Sequence, residues 1–132
     1  MSLQKLAGRR VMIVEDEVMV ATLLEDVLDE EHCTIIGPFG QIEDALDAAR
    51  TEQLDLAVLD VNLGGIMSFP VAEMLAHRGI PFLLLTGYGD GDVALERALS
   101  RHRHWPVCGK PFDVDHLVTV LEEILGGTPA GK

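Results

Sequence analysis

Arg10-Val11-Met12-Ile13-Val14 runs without a break into Glu15-Asp16-Glu17, and this stretch decides the fold class. Consecutive apolar residues with no polar alternation are the pattern of a strand buried on both faces, as in a parallel sheet covered by helices. In open sheets of that kind, functional groups gather beyond the C-terminal ends of the strands. Three acids directly after the run put charge at such an end.

Working outward, the same arrangement recurs three times. Leu56-Ala57-Val58-Leu59 leads to Asp60-Val61-Asn62, Pro81-Phe82-Leu83-Leu84-Leu85 leads to Thr86-Gly87, and Val107-Cys108 leads to Lys110-Pro111-Phe112. Helical periodicity fills the gaps. Val20, Leu23, Leu24, Val27 and Leu28 give an inward face to a helix over 17–31, and Ile42, Ala45, Leu46 and Ala49 mark another over 41–52. Between them, Cys33-Thr34-Ile35-Ile36 reads as a short strand stopped by Gly37-Pro38. The alternation continues with strand 55–60, helix 67–78 (Val71, Met74 and Leu75 inward), strand 81–86 and helix 91–101. Strand 106–109 and helix 113–125, carrying Leu117, Leu121, Ile124 and Leu125, complete it. Five β–α units with short connections predict an α/β, flavodoxin-like, doubly wound (βα)5 fold with a parallel five-stranded sheet in the order 2-1-3-4-5. Residues 1–126 are expected to form one domain, and 127–132 a short flexible tail without an output domain.

Composition narrows the function classes. A chain of 132 residues, 48% hydrophobic with a mean hydropathy of +0.23, can build one continuous core. Ten Lys+Arg against 22 Asp+Glu give a net charge of −12, which repels a phosphate backbone and anionic lipid. Direct nucleic-acid or membrane binding is not expected. The basic cluster Arg101-His102-Arg103-His104 reads as a solvated loop. Cys33 and Cys108 form neither a CxxC pair nor a disulfide framework and read as small buried thiols, with a reducing, cytoplasmic setting as the expectation. No apolar stretch approaches the ~20 residues that cross a bilayer, and the N-terminus lacks a signal-peptide core.

In the 2-1-3-4-5 order the first and third strands are neighbours, so Glu15, Asp16 and Asp60 would converge. Crowded carboxylates repel and hold protons unless a cation relieves them. Mg²⁺, held by one or two carboxylates with waters and a phosphate, suits this donor set. Lys110 and Thr86 fall on the same rim as a cation and a hydroxyl for phosphoryl oxygens. The set is that of phosphoryl transfer to an aspartate nucleophile.

Across residues ~9–125 the chain resembles the receiver domain of two-component response regulators. The resemblance implies that Asp16 is a direct Mg²⁺ ligand with Glu15 as its partner through water. It makes Asp60 the phosphoacceptor and Asn62 a source of a backbone carbonyl for the metal. Thr86 becomes the switch hydroxyl, and Lys110 the phosphoryl-binding lysine in a cis Lys110-Pro111 pair. The phosphoryl donor would be a histidine kinase or a phosphotransfer protein. The resulting conformational change would regulate a protein partner, and the chain would not turn over an external substrate. Three departures stand out. Glu15 replaces the more usual aspartate, a tolerable change for a ligand reached through water. Val107 replaces the aromatic that many receivers carry there, with Trp105 two residues earlier read as a half-buried packing residue. Thr86-Gly87-Tyr88-Gly89 resembles part of a Phe-Ala-Thr-Gly-Tyr subgroup signature found with stress-signalling kinases, with Leu84-Leu85 in place of Phe-Ala. The glycines at 87, 89 and 91 predict a mobile loop over 87–93, with Tyr88 reporting phosphorylation in place of the missing aromatic. Three alternatives stand beside this reading: a receiver cut from a hybrid kinase or larger regulator, a haloacid-dehalogenase-like phosphatase, and an inactive receiver-like binding module. The phosphatase requires an acid two residues past its nucleophile, where this chain has Asn62.

Overall fold

The computed structural model describes residues 5–87, 97, 100–102 and 104–126. Its elements run β1 (Arg10–Val14), α1 (Val18–Glu30), β2 (Thr34–Phe39), α2 (Ile42–Thr51), β3 (Leu56–Asp60), β4 (Asn62–Leu63), β5 (Ile66–Met67), α3 (Phe69–His77), β6 (Phe82–Thr86), β7 (Val107–Gly109) and α4 (Val114–Leu125). The main sheet has the order β2-β1-β3-β6-β7 with every neighbour parallel. Setting aside the two-residue strands β4 and β5, this is the expected 2-1-3-4-5 topology. Residues 88–96 are not among those described, so most of the expected helix over 91–101, the glycine loop over 87–93 and Tyr88 lie outside the described residues.

Strand alternation splits the core into two layers. Met12, Val14, Ala57, Leu59, Phe82 and Leu84 face α2 and α3, while Val11, Ile13, Leu56, Val58, Leu83 and Leu85 face α1 and α4. All five residues of β3 are buried, which is why its sequence shows no polar alternation before Asp60. Leu6, ahead of the first strand, is also fully buried in the α1–α4 layer. No helix among the described residues is long and apolar enough to cross a membrane.

Several expectations need correction. Gly37-Pro38 does not stop the second strand, because β2 continues to Phe39 and Phe39 O accepts from Glu15 N at 2.9 Å. Gly37 supplies a φ of 105°, the Gly37–Pro38 peptide is cis, and the β1–β2 register shifts between Met12 and Val14. An edge strand tolerates a proline because one side of its backbone has no ladder to donate to. The third helix begins at Phe69 rather than 67, since Asn62-Leu63 and Ile66-Met67 pair as an antiparallel hairpin around Gly64-Gly65. The buried face of α1 is Ala21, Leu24, Val27 and Leu28, leaving Leu23 42% exposed. Smaller residues likewise take the inner positions of α2 (Ala48) and α3 (Ala72), with Leu46 and Met74 packing from the margins.

Cys33 and Cys108 are half-buried rather than buried. They lie on the two opposite edge regions of the sheet. Trp105 is buried, not half-buried, and its ring stacks on His102 with centroids 3.7 Å apart and a 4° interplanar angle. His102 is therefore a packing residue of the cluster read as a solvated loop.

Candidate functional site

The ends of β1, β3 and β7 bring Glu15, Asp16, Asp60 and Lys110 to one rim. Glu15 follows Val14 directly, and its side chain is fully buried; that of Asp60, the last residue of β3, is 7% exposed. Lys110 follows β7, and its main chain is fixed by Lys110 N donating to Thr86 O at 2.9 Å. Its Nζ lies 3.1 Å from Glu15 Oε1, 3.2 Å from Asp60 Oδ2 and 3.8 Å from Glu17 Oε1. The Lys110–Pro111 peptide is cis, as the resemblance implied.

Two backbone donors complete the arrangement. Glu17 N donates to Glu15 Oε2 at 3.1 Å, and Asn62 N donates to Asp60 Oδ1 at 3.3 Å. Burial is the largest influence on the Glu15 carboxyl and pushes it up to about 7; the Glu17 N–H opposes this, the Asp60 charge adds to it, and Lys110 opposes it. For Lys110, burial acts to lower the pKa, but the close carboxylates of Glu15 and Asp60 outweigh it, so the net shift is upward and the ammonium persists.

One oxygen in this array is unsatisfied. Glu15 Oε1 is buried and accepts no hydrogen bond, its approach to Lys110 being an ion pair without hydrogen-bond alignment. Carboxylate oxygens of Glu15, Asp16 and Asp60 lie within 4.8 Å of one another, a spread that suits oxygens around one small divalent cation. A cation fits here because three acids share one ammonium and one buried acceptor has no donor. The cleft beside them, about 290 Å³, is lined by Asp16, Glu17, Asp60, Asn62, Gly64, Gly65, Gly87 and Lys110.

The remaining candidate residues fall in two positions. Asn62 reaches the cleft, but its side chain Oδ1 accepts from Gly65 N at 2.6 Å and so belongs to the hairpin. Thr86 ends β6 beside the site, paired with Gly109, and does not line the cleft. Val107 is 43% exposed on β7. Sequence reading missed Gly64, where a Cβ would stand 3.3 Å from Asp16 Oδ2, and the fully buried Ser68. For Gly64 a signal existed, since Gly-Gly between apolar residues marks a two-residue hairpin turn.

A doubly wound sheet whose strand ends gather carboxylates and one lysine defines a protein class in which an aspartate can receive phosphoryl beside a divalent cation. The model of the response regulator receiver domain matches residues 11–122, and the chain belongs to that family. In this family, which serves two-component systems, phosphorylation on aspartate and Mg²⁺ binding are general. SdrG from Sphingomonas melonis Fr1, known from a solution structure, is 41% identical with a TM-score of 0.74, over 95% of this chain and 99% of that one. The transcriptional regulatory protein PdtaR of Mycobacterium tuberculosis is 30% identical over 115 residues, 86% of this chain and 55% of PdtaR. At 19% identity, the receiver domain of sensor histidine kinase PA1611 from Pseudomonas aeruginosa PAO1, with magnesium in its active site cleft, shares the fold. Its TM-score is 0.76, over 92% of this chain and all of that one. The chain spans about half the length of the curated relatives it matches.

Proposed function

We propose that Asp60 accepts a phosphoryl group from the phosphohistidine of a histidine kinase or phosphotransfer protein, and that residues 1–126 act as one receiver domain. The observation that carries this reading is the placement of Asp60, with Lys110 Nζ 3.2 Å from one oxygen and the Asn62 N–H on the other, inside an acid cluster. An Asp60 oxygen attacks phosphorus and a P–O bond forms. The P–N bond to the donor imidazole breaks, and its electron pair returns to the ring nitrogen. Lys110 holds a phosphoryl oxygen. Asp16, Asp60 and the Asn62 carbonyl, with Glu15 through water, would hold Mg²⁺, which when bound would supply charge neutralisation for the transferred group. Thr86 is the hydroxyl that follows the phosphoryl group, and the changed surface regulates a downstream protein.

A protein donor is supported by the surroundings. A groove of about 460 Å³ opens next to Lys110, bordered by Val20, Leu23, Pro111 and Phe112. On the same helix, Val18 and Met19 are 77% and 85% exposed. Contiguous exposed apolar surface of this kind marks protein contact.

Acetyl phosphate with Mg²⁺ is the direct test. One phosphoryl group per chain, absent without Mg²⁺ and absent in Asp60→Asn, is the expected result. Labelling that persists in Asp60→Asn, or catalytic turnover of a phosphomonoester, overturns the assignment.

A further inference from the structure

Seven residues separate Asp60 from Ser68, and the chain between them folds back so that Ser68 closes the loop onto the acceptor. Ser68 Oγ donates to Asp60 O at 2.6 Å, and Ser68 N donates to Val61 O at 2.8 Å. Two successive carbonyls at the end of β3 are thus held by one residue. The need for such a clasp follows from the sheet. Val61 N donates to Leu85 O on β6, so strand alternation turns the Asp60 carbonyl towards β1. The β1–β3 pairing stops at Val14 opposite Leu59. The Asp60 carbonyl lies one residue past the last ladder pair, and Ser68 supplies its donor.

Ser68 has no exposed surface, so water does not replace its hydroxyl. It also precedes the first residue of α3, where a serine side chain ordinarily caps the helix. Here it makes no cap bond: its backbone, at φ −89° and ψ 11°, is not the extended form of a capping residue, and its hydroxyl instead donates to Asp60. The loop it closes carries the β4–β5 hairpin, whose tip is pinned by Gly65 N donating to Asn62 Oδ1 at 2.6 Å and whose Gly64 sits against Asp16 Oδ2. One neck therefore fixes the acceptor backbone, the Asn62 backbone and the glycine wall beside Asp16.

We propose that Ser68 is a positioning residue for phosphoryl transfer, holding the Asp60 main chain and the hairpin wall in the geometry that the acceptor carboxylate requires. This rests on Asp60 being the phosphoacceptor. Phosphoryl transfer depends on the alignment of the attacking oxygen, and small displacements are costly.

The test compares wild type, Ser68→Ala and Ser68→Cys for phosphoryl uptake from acetyl phosphate at saturating Mg²⁺, well below each variant's melting temperature. Loss of the bond is expected to slow uptake by about tenfold in Ser68→Ala. Ser68→Cys, close in volume and a weak donor, should lie between the two. The Asp60 carbonyl ¹³C resonance of the unphosphorylated protein should move in Ser68→Ala, a change that general destabilisation does not produce in a folded sample. Wild-type rates in either variant overturn the proposal. If Ser68→Ala does not fold, the Cys variant decides. Absence of labelling in the wild type instead refutes Asp60 as acceptor, which separates that failure from this one.

Discussion

At the level of single residues, the acids and the lysine were legible because each follows an apolar run, and a strand end is where such a side chain meets its neighbours. Ser68 was not legible. It sits between Met67 and Phe69 in no recognisable motif, and its role exists only once the hairpin returns it to Asp60. Cysteine burial was overestimated for a related reason, since sequence shows the apolar neighbours of Cys33 and Cys108 but not that both lie towards the sheet edges. What burial Cys33 does have still matters. It pushes the thiol up to about 11, with the Glu31 charge adding to the rise, and Cys33 Sγ lies 3.5 Å from Leu6 O. As the thiolate is the reactive form, iodoacetamide should modify native Cys33 more slowly at pH 8 than the same residue in denaturant. The native rate should keep rising with pH towards 11. Peptide-resolved mass spectrometry reads both; equal native and denatured rates at pH 8 would contradict the burial.

At the level of elements, the period of each run and the order of strands were readable, whereas the points where the chain departs from regular geometry were not. Gly37-Pro38 carries a breaker signal, yet it lies inside β2, because an edge strand bends without losing a full ladder. Gly64-Gly65 carries a hairpin signal that the neighbouring helical pattern of Val71, Met74 and Leu75 obscured. These glycines differ in what an added methyl would meet. At Gly37, φ is 105° and a Cβ would lie 2.9 Å from Ile13 O, so Gly37→Ala should cost about 2 kcal/mol or more. Gly64→Ala, at φ 61° and 3.3 Å from Asp16 Oδ2, should cost about 1 kcal/mol and also weaken Mg²⁺ binding. Gly109 has nothing within 4 Å, and its alanine variant should stay within about 0.5 kcal/mol of wild type. Urea denaturation with parallel Mg²⁺ titration measures all three. A Gly64→Ala protein with unaltered Mg²⁺ affinity would show that the hairpin wall does not bear on Asp16.

For the whole molecule, two of the 22 acids lie where charge is hardest to accommodate. A chain of net charge −12 places buried Glu15 and Asp60 around one lysine, so a divalent cation should stabilise the fold well beyond ionic screening. Mass action gives about 2.7 kcal/mol when free Mg²⁺ reaches ~100 times its dissociation constant. Thermal denaturation should show this gain in wild type and its loss in Asp16→Asn, with KCl at matched ionic strength as the control. An equal shift in Asp16→Asn would place the cation elsewhere.

The stack of Trp105 on His102 gives the molecule an optical property. Trp105 is the sole tryptophan, its ring meets Phe82 edge-on at 5.2 Å, and it stands at the start of the segment that ends in Lys110. The acidic cleft occupies one pole of the sheet and this indole the other. A shift in β7 that travels its length alters ring overlap and therefore emission, whereas one confined to the cleft leaves the indole unchanged. The protein thus contains its own label-free gauge of how far a chemical event at Asp60 is felt.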